Sequence, residues 1–439
     1  MKVMKFGGTS IGTPERMQNV AGIVSKGEQK VVVLSALSGT TNRLIEIINL
    51  IKHYRVGEAR DFIYKFKREY DNFIFDLFSE QEYLDEAGSV VDRSFEIIRD
   101  FHSDNISTEK ENEFLAQGEL LSTGIFQVLL DSKGLKSGFL NALNFMRVDK
   151  DGEPDMFFIE GNLANCQESN SGKDIFVTQG FICRDYFGKI TNLGRGGSDY
   201  SASIIGAAIN ASVIQIWTDI DGVHNGDPRW VEKTSPVKEL SYKEAAELAY
   251  FGAGILHPKS VFPAQVKNIP LRLKNTFEPE QEGTLISAKS RKDRIKSVAA
   301  KDGIIAIKIR SARMLMAYGF LKNVFEVFEK HKTSIDMIST SEVSVSLTID
   351  NPKNLELLLK DLQSFGEVEY DLDQSIVCVV GDFMADETGM ARTVLNALAE
   401  IPVRMISYGG SMNNISMLIK SADKKKALES LHRNIFKNR

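Results

Sequence analysis

Gly194-Arg195-Gly196-Gly197-Ser198-Asp199-Tyr200-Ser201-Ala202 couples a glycine turn to a helix expected over Tyr200–Ile209. Glycine lets backbone approach a ligand closely, because it has no side chain to clash. Arg195 is a permanently charged, planar fork suited to a carboxylate or phosphate. Ser198 or Asp199 can cap the helix that follows. The free N–H groups of such a helix start attract anions. A cation, an anion-binding turn and a carboxylate within five residues suggest an anionic substrate handled near a metal. The same residues would also serve in a plain surface capping loop.

A second glycine turn opens the chain: Met1-Lys2-Val3-Met4-Lys5-Phe6-Gly7-Gly8-Thr9-Ser10. Residues 2–6 read as a short strand that the glycines end. A helix is expected from Pro14, with Thr13 as its N-cap. Lys5 then sits at a strand end beside a phosphate-sized turn, although a solvated lysine would fit there too. Gly7 and Gly12 have the Walker A separation, but Thr13-Pro14 follows where Lys-Ser/Thr is required. Residues 194–199 are no dinucleotide fingerprint either, since Asp199 stands where the third glycine belongs.

At 439 residues, two or three domains are expected. A 43% hydrophobic content is that of a globular protein with real cores. The 54 basic and 59 acidic residues leave −5 with no long basic run, which disfavours nucleic acid binding. Cys166, Cys183 and Cys378 lie far apart without CxxC spacing. They read as reduced thiols in a cytoplasmic protein and exclude a zinc ribbon. No apolar run reaches membrane length, and no signal peptide is expected ahead of the first strand.

From residue 1 to about 290, strands and helices alternate. Val31–Leu37, Ile175–Ile182 and Val213–Trp217 are Val- and Ile-rich runs without strict alternation. They suit strands buried on both faces of a mostly parallel sheet. Helices are expected over Leu44–Ile51, Phe114–Leu130 and Tyr242–Phe251, the last opened by a Ser241-x-x-Glu244 capping box. Residues 52–112 read as a helical insertion. The whole predicts a three-layer α/β domain.

Residues 287–303, rich in Lys, Arg, Ala and Ser, read as a linker. Beyond it, strands are expected at Ile304–Ile309, Ser334–Ile338, Val343–Ile349 and Val368–Tyr370, with helices at Phe320–Glu329 and Leu355–Leu362. The order restarts with a strand at Ile376–Val380 and a helix at Ala391–Leu398. Strands at Arg404–Tyr408 and Ile415–Ile419 and a helix at Lys424–Leu431 complete it. Two tandem ferredoxin-like modules follow from this repeat, over 300–373 and 374–439.

A third polar cluster runs Trp217-Thr218-Asp219-Ile220-Asp221-Gly222-Val223 and ends in Asp227-Pro228-Arg229. It follows a buried strand, where open α/β sheets bind ligands. Asp219, Asp221 and Asp227 can hold Mg²⁺ through oxygen, or simply build turns. Glu119, expected at the start of a helix, can accept a substrate ammonium or merely complement a helix N-terminus. Thr41-Asn42 can cap a helix, and His257-Pro258 is expected to end the Tyr242 helix. No Ser-His-Asp or Cys-His arrangement stands out, which disfavours covalent catalysis.

Taken in order, these segments resemble the aspartate kinases (aspartokinases). The residues that carry the likeness are Lys5 to Ser10, Gly194 to Ala202, Thr218 to Val223, Asp227-Pro228-Arg229 and Ser241 to Pro258. The resemblance spans essentially the whole chain. It implies an amino-acid-kinase domain over 1–290, followed by paired regulatory ACT modules. The implied reaction is phosphoryl transfer from MgATP to the side-chain carboxylate of L-aspartate. Lys5 and Asp199 are then catalytic, with Lys5 on the transferring phosphoryl group. Arg195 forks onto the α-carboxylate, Glu119 takes the α-ammonium, and Thr41 and Ser198 complete the aspartate site. Gly7, Gly8, Ser10, Thr218, Asp219, His224, Arg229 and Gly254 join Lys5 around ATP. No dedicated protein metal cage is implied. Rival readings are a kinase of the same fold acting on another carboxylate, and a non-catalytic amino-acid sensor.

Two positions depart from the family pattern: His224 stands where Tyr is common, and Gly254 where Lys is common. Lys259 or Lys274 would be the compensating cation. The tail looks most like lysine-sensitive enzymes. The resemblance puts an effector, L-lysine, at Met314, Gly319, Phe320 and Leu321 together with Ser334, Ile335 and Asp336. Thr340, Ser341 and Glu342 complete that site, with Asp336 on the effector's α-ammonium. Met316 and Ala317 depart from the lysine-sensitive pattern and leave threonine open. A monofunctional, cytoplasmic homodimer or larger assembly is expected, with no room after Arg439 for a fused dehydrogenase domain.

Overall fold

The computed structural model describes residues 1–101, 106–252, 256–289, 295–314, 318–382 and 388–436. Two compact units emerge: Met1–Val223 with Leu256–Lys289, and His224–Ile255 with Ser290–Arg439.

In the first unit the order is β1 (Lys2–Phe6), α1 (Pro14–Val24), β2 (Lys30–Leu34), α2 (Thr40–Lys52), α3 (Val56–Leu77), α4 (Gln81–Arg99) and α5 (Thr108–Ser132). Then come β3 (Ser137–Leu140), α6 (Ala142–Phe145), α7 (Met156–Glu168), β4 (Ile175–Gln179), β5 (Ile182–Arg184), β6 (Ile190–Asn192), α8 (Gly197–Ala208) and β7 (Ile214–Thr218). After the segment taken with the second unit, where β8 (Glu239–Ser241) and α9 (Tyr242–Tyr250) lie, the chain adds α10 (Pro258–Val266), β9 (Leu271–Asn275) and β10 (Thr284–Ser287). The strands of the first unit follow the order β3-β4-β2-β1-β7-β9-β10. Neighbours are parallel from β3 to β9, and β10 runs antiparallel to β9. Every residue of β2 and β4 is buried, as expected for strands covered on both faces. The expected helical insertion forms α3 and α4. Phe66, Tyr70 and Phe95 meet there edge to face, with centroids 5.4–5.9 Å apart. Thr13 caps α1, accepting a hydrogen bond from the Arg16 N–H.

Four local expectations are corrected. α8 is capped not by Ser198 or Asp199 but by Gly196, at φ 69°, and both side chains lie in its first turn. Thr41 likewise lies inside α2, which starts after Gly39 at φ 82°. Glu119 sits in the middle of α5, because the apolar periodicity continues upstream through Phe114. His257 begins α10 as its N-cap and does not end α9.

The second unit is built on a six-stranded antiparallel sheet, β12-β13-β11-β14-β16-β15. Its elements are β11 (Ile295–Arg310), α11 (Phe320–Lys330), β12 (Ile338–Thr340), β13 (Ser344–Ile349), α12 (Leu355–Leu362) and β14 (Glu367–Gly381). They continue with α13 (Met390–Ala397), β15 (Met405–Tyr408), β16 (Asn414–Lys420) and α14 (Lys424–Phe436). The sheet overturns the linker reading of 287–303. Its small and charged residues disguise a strand: Ile295–Lys301 is the first half of β11, paired with Ile376–Gly381. The expected strands Val368–Tyr370 and Ile376–Val380 are one continuous β14. The two βαββ repeats therefore share two long strands, and the second module borrows residues 295–301 from ahead of the first. The strand expected at Ser334–Ile338 forms later, as β12, because Asp336 and Met337 instead bond across to Thr348.

Residues 224–255, expected in a catalytic domain of 1–290, also belong here. Val231 joins the core of Ile295, Val298, Val377 and Leu431. Ser297 Oγ donates to His224 O at 2.7 Å, and Ser411 Oγ donates to Glu247 at 2.7 Å. The Ser241–Glu244 capping box of α9 forms as expected. Among the described residues no helix is long and apolar enough to cross a membrane.

Val298 is 1% exposed, so a charge there would be buried without a partner. Several kcal/mol at roughly 2–4 °C each predicts that Val298→Asp lowers the unfolding midpoint by more than about 5 °C. Thermal denaturation at wild-type temperature would restore the linker reading.

Candidate active site

The carboxyl ends of β1, β2 and β4 meet the first turn of α8 around a cleft of about 280 Å³. Lys5, Ser35, Thr41, Glu119, Phe181, Ser198 and Asp199 line it, with Gly194, Gly196 and Gly197. A second hollow of about 300 Å³, lined by Gly8, Thr9, Ser38 and Asn42, shares Ala36 and Thr41 with it.

Lys5 Nζ lies 2.6 Å from Asp199 Oδ1, and the two side chains are only 11% and 13% exposed. β1 fixes the lysine through its register with β2 and β7. The Gly196 cap fixes the aspartate in the first turn of α8, where a negative charge suits the helix dipole.

Glycine is required at the approach. A Cβ on Gly8 would stand 2.6 Å from Ala36 O, and one on Gly196 would stand 2.4 Å from His257 Cβ. The loop carrying Arg195 is therefore wedged against the α10 cap. Desolvation, with help from Lys259 and Arg195, lowers the His257 pKa.

Glu119 is buried. Its Oε1 accepts from the Ala36 N–H at 3.2 Å, whereas Oε2 has no hydrogen-bond partner among the described residues. Desolvation raises its pKa from 4.5 to about 8. A carboxylate held this way lacks a cation. Thr40, beside Thr41, bonds Tyr70 Oη at 2.8 Å and anchors α2 on the helical insertion.

The structure brings Lys5, Thr41, Glu119, Ser198 and Asp199 together. Arg195 is exposed on the loop above them and does not itself line the cleft. Ser10 is turned inward, 2.7 Å from Thr276 Oγ1, and is spent on joining the first turn to the end of β9. Thr218 Oγ1 donates to Asp219 at 3.1 Å. His224 and Arg229 fall in the second unit: His224 Nδ1 lies 2.7 Å from Thr234 Oγ1, and Arg229 grips Asp227 at 2.6 Å. Asp227, a candidate Mg²⁺ ligand by sequence, is thus held by a guanidinium. Lys274, a candidate compensating cation, donates to Pro279 O at 2.7 Å, and Lys259 pairs with Glu153 at 3.3 Å. Gly254, Met316 and Ala317 lie outside the described residues.

Ser35, Ala36 and Phe181 were not anticipated in the site. Phe181 holds φ 65°, and its N–H donates to Ser201 Oγ at 3.0 Å. Its neighbour Gly180 carried the available signal: a Cβ there would fall 2.6 Å from Ser198 Cβ.

In the second unit, Gly319 at φ 81° starts α11, and the first-turn N–H groups meet no side-chain cap among the described residues. Met314, Phe320, Leu321 and Ile335 pack against the core of this half of the sheet. Ser334, Thr340, Ser341 and Glu342 are exposed. Asp336 is not a free surface carboxylate, because Lys301 pairs with it at 2.8 Å.

A glycine turn and a lysine at strand ends, an aspartate in the first turn of α8 and a buried carboxylate of α5 meet in one cleft suited to a small anionic substrate. Residues 1–275 match the amino acid kinase family, and residues 377–435 match an ACT domain. The lysine-sensitive aspartokinase 3 of Escherichia coli strain K12 is 31% identical, over 99% of each chain. Aspartokinase 1 of Arabidopsis thaliana is 31% identical over 99% of this chain and 80% of its own. The crystal structure of E. coli aspartokinase III with aspartate and ADP superposes with a TM-score of 0.88 at 30% identity, over 99% of this chain and 100% of that one. Its complex with lysine and aspartate gives 0.79. The chain belongs to the aspartokinase family.

The Glu119 shift has a defined sign. A carboxyl group whose folded pKa lies above its unfolded value stabilises the fold below the unfolded value, and that contribution is lost as pH rises. Ligand-free protein should lose this contribution between about pH 4.5 and about pH 8. The thermal midpoint of Glu119→Gln should therefore gain on wild type across that window. A difference independent of pH would contradict the burial argument.

Proposed function

We propose that this protein transfers the terminal phosphoryl group of ATP to the side-chain carboxylate of L-aspartate, giving 4-phospho-L-aspartate and ADP. The observation that carries this reading is the convergence of the Lys5–Asp199 pair and the unpartnered oxygen of Glu119 on one cleft. The α-ammonium of aspartate supplies the cation that Glu119 lacks. Arg195, on its loop above the cleft, forks onto the α-carboxylate. Thr41 and Ser198 donate to the substrate from the starts of α2 and α8.

Lys5 neutralises charge developing on the transferring phosphoryl group, and Asp199 holds that lysine in line. No protein nucleophile is required, because such transfers run on positioning and electrostatics. Gly7 and Gly8 let backbone approach the phosphates, and Thr218 and Asp219 flank the nucleotide at the end of β7. Among the described residues no group of three or more His, Cys, Asp or Glu is arranged to hold a metal. Mg²⁺ would accordingly arrive on the nucleotide phosphates, needing one or two carboxylates at most.

The E. coli relative captured with aspartate and ADP supports both substrates, and its complex with lysine supports L-lysine as the effector. Lysine would bind beside the open start of α11, its carboxylate on those N–H groups and its α-ammonium on Asp336. Pairing of ACT modules between copies would make the protein a homodimer or larger. Free thiols at Cys166, Cys183 and Cys378 suit a reducing cytoplasm.

ADP release in a coupled assay should be supported by aspartate and not by glutamate or N-acetylglutamate, and lysine should suppress it more than threonine. Turnover with another carboxylate would transfer the reading to that substrate. Lysine cannot reproduce a bidentate fork. Arg195→Lys should therefore raise KM for aspartate about tenfold or more while leaving KM for ATP nearly unchanged. Equal changes in both constants would remove Arg195 from the aspartate site.

A further inference from the structure

Asp336 is 2% exposed, and its two oxygens are treated differently. Oδ1 accepts from the Tyr250 hydroxyl and lies 2.8 Å from Lys301 Nζ. Oδ2 is buried with no hydrogen-bond partner among the described residues. Lys301 Nζ also lies 2.9 Å from Asp350 Oδ2 and 4.2 Å from the centre of the Tyr250 ring. Three separate parts of the second unit meet in this knot. Tyr250 is the last residue of α9, Lys301 lies in β11, and Asp336 is fixed by its N–H on Thr348 O at 2.9 Å.

The three partners are not held equally. The Asp336 backbone is tied to β13, and Lys301 keeps Asp350 as a second carboxylate. Tyr250 is 37% exposed, so its hydroxyl can turn to water when it loses Asp336. An ammonium arriving at Asp336 brings three donors of its own and a full charge. It outcompetes a neutral hydroxyl for an ionised carboxylate, since charge-assisted bonds are the stronger ones.

We propose that Tyr250 is a built-in competitor for the effector's ammonium at Asp336: a bound amino acid displaces the tyrosine hydroxyl and so releases the end of α9 from the first ACT module. This rests on the reading of Asp336 as the effector carboxylate. Residues 224–255 leave the first unit after Val223 and return to it at Leu256, so the segment released is the one spliced into the catalytic chain. Effector affinity is set by what Tyr250 gives up, and the tyrosine bond belongs to the effector-free state.

Isothermal titration of the full-length protein with L-lysine tests this. Tyr250→Phe removes the competitor and retains the ring beside Lys301. It should tighten lysine binding about tenfold, as expected for one hydrogen bond to a charged group. The lysine concentration for half-inhibition should fall in parallel. Amide hydrogen exchange over Tyr242–Tyr250 in wild type should rise when lysine is added, a readout that needs no variant. Lysine binding to wild type with equal or weaker binding to Tyr250→Phe, or added protection of α9, overturns the competitor and leaves the effector reading intact. Failure of wild type to bind lysine removes the effector reading and this proposal with it.

Discussion

Lys5 and Asp199 face each other across the carboxyl end of the parallel sheet, 2.6 Å apart and almost out of water. Such a pair is costly to desolvate and gains little for stability by itself. It persists because both partners are delivered by elements with other reasons to be where they are. Central position in the sheet, between β2 and β7, fixes the lysine. The Gly196 cap, wedged against His257, fixes the aspartate. The result is a cation held in place beside a glycine turn. Glu119 lines the same cleft, buried and with one oxygen unpartnered among the described residues.

Much of this was readable in the chain. Lys5 at a strand end, the glycine turns at 7–8 and 194–197, and the buried Val- and Ile-rich strands all left local signatures. Local chemistry also gave away the Thr13 cap and the Ser241–Glu244 box. The features that local sequence does not show depend on contacts distant in sequence. Ser10 has the composition of a ligand-binding residue, but its partner is Thr276, on the far side of the chain. Glu119 is locally an ordinary helical acid, and only its burial against Ala36 gives it a raised pKa. Phe181 itself shows no sign of its left-handed backbone, and only the neighbouring Gly180 hints at a close approach there.

The second unit taught the same lesson at larger scale. A stretch of small and charged residues, Ile295–Lys301, looked like a tether and is the first half of the long strand β11. Its burial comes from β14 and from Val231, neither of which is near it in sequence. Sharing β11 and β14 fuses the two modules into one sheet, and the 224–255 segment is built into the same core.

We propose that Lys5 and Asp199 work as one unit on the transferring phosphoryl group. A double-mutant cycle on turnover, with Lys5→Ala, Asp199→Ala and the double variant, tests it most directly. Each single change should cost about 10²–10³ in kcat, the usual loss for an electrostatic stabiliser. Residues acting as a unit are strongly non-additive. The folded double variant should be slower than either single by less than about tenfold. Losses that multiply, to roughly 10⁴–10⁶, would mean two independent groups and would contradict it.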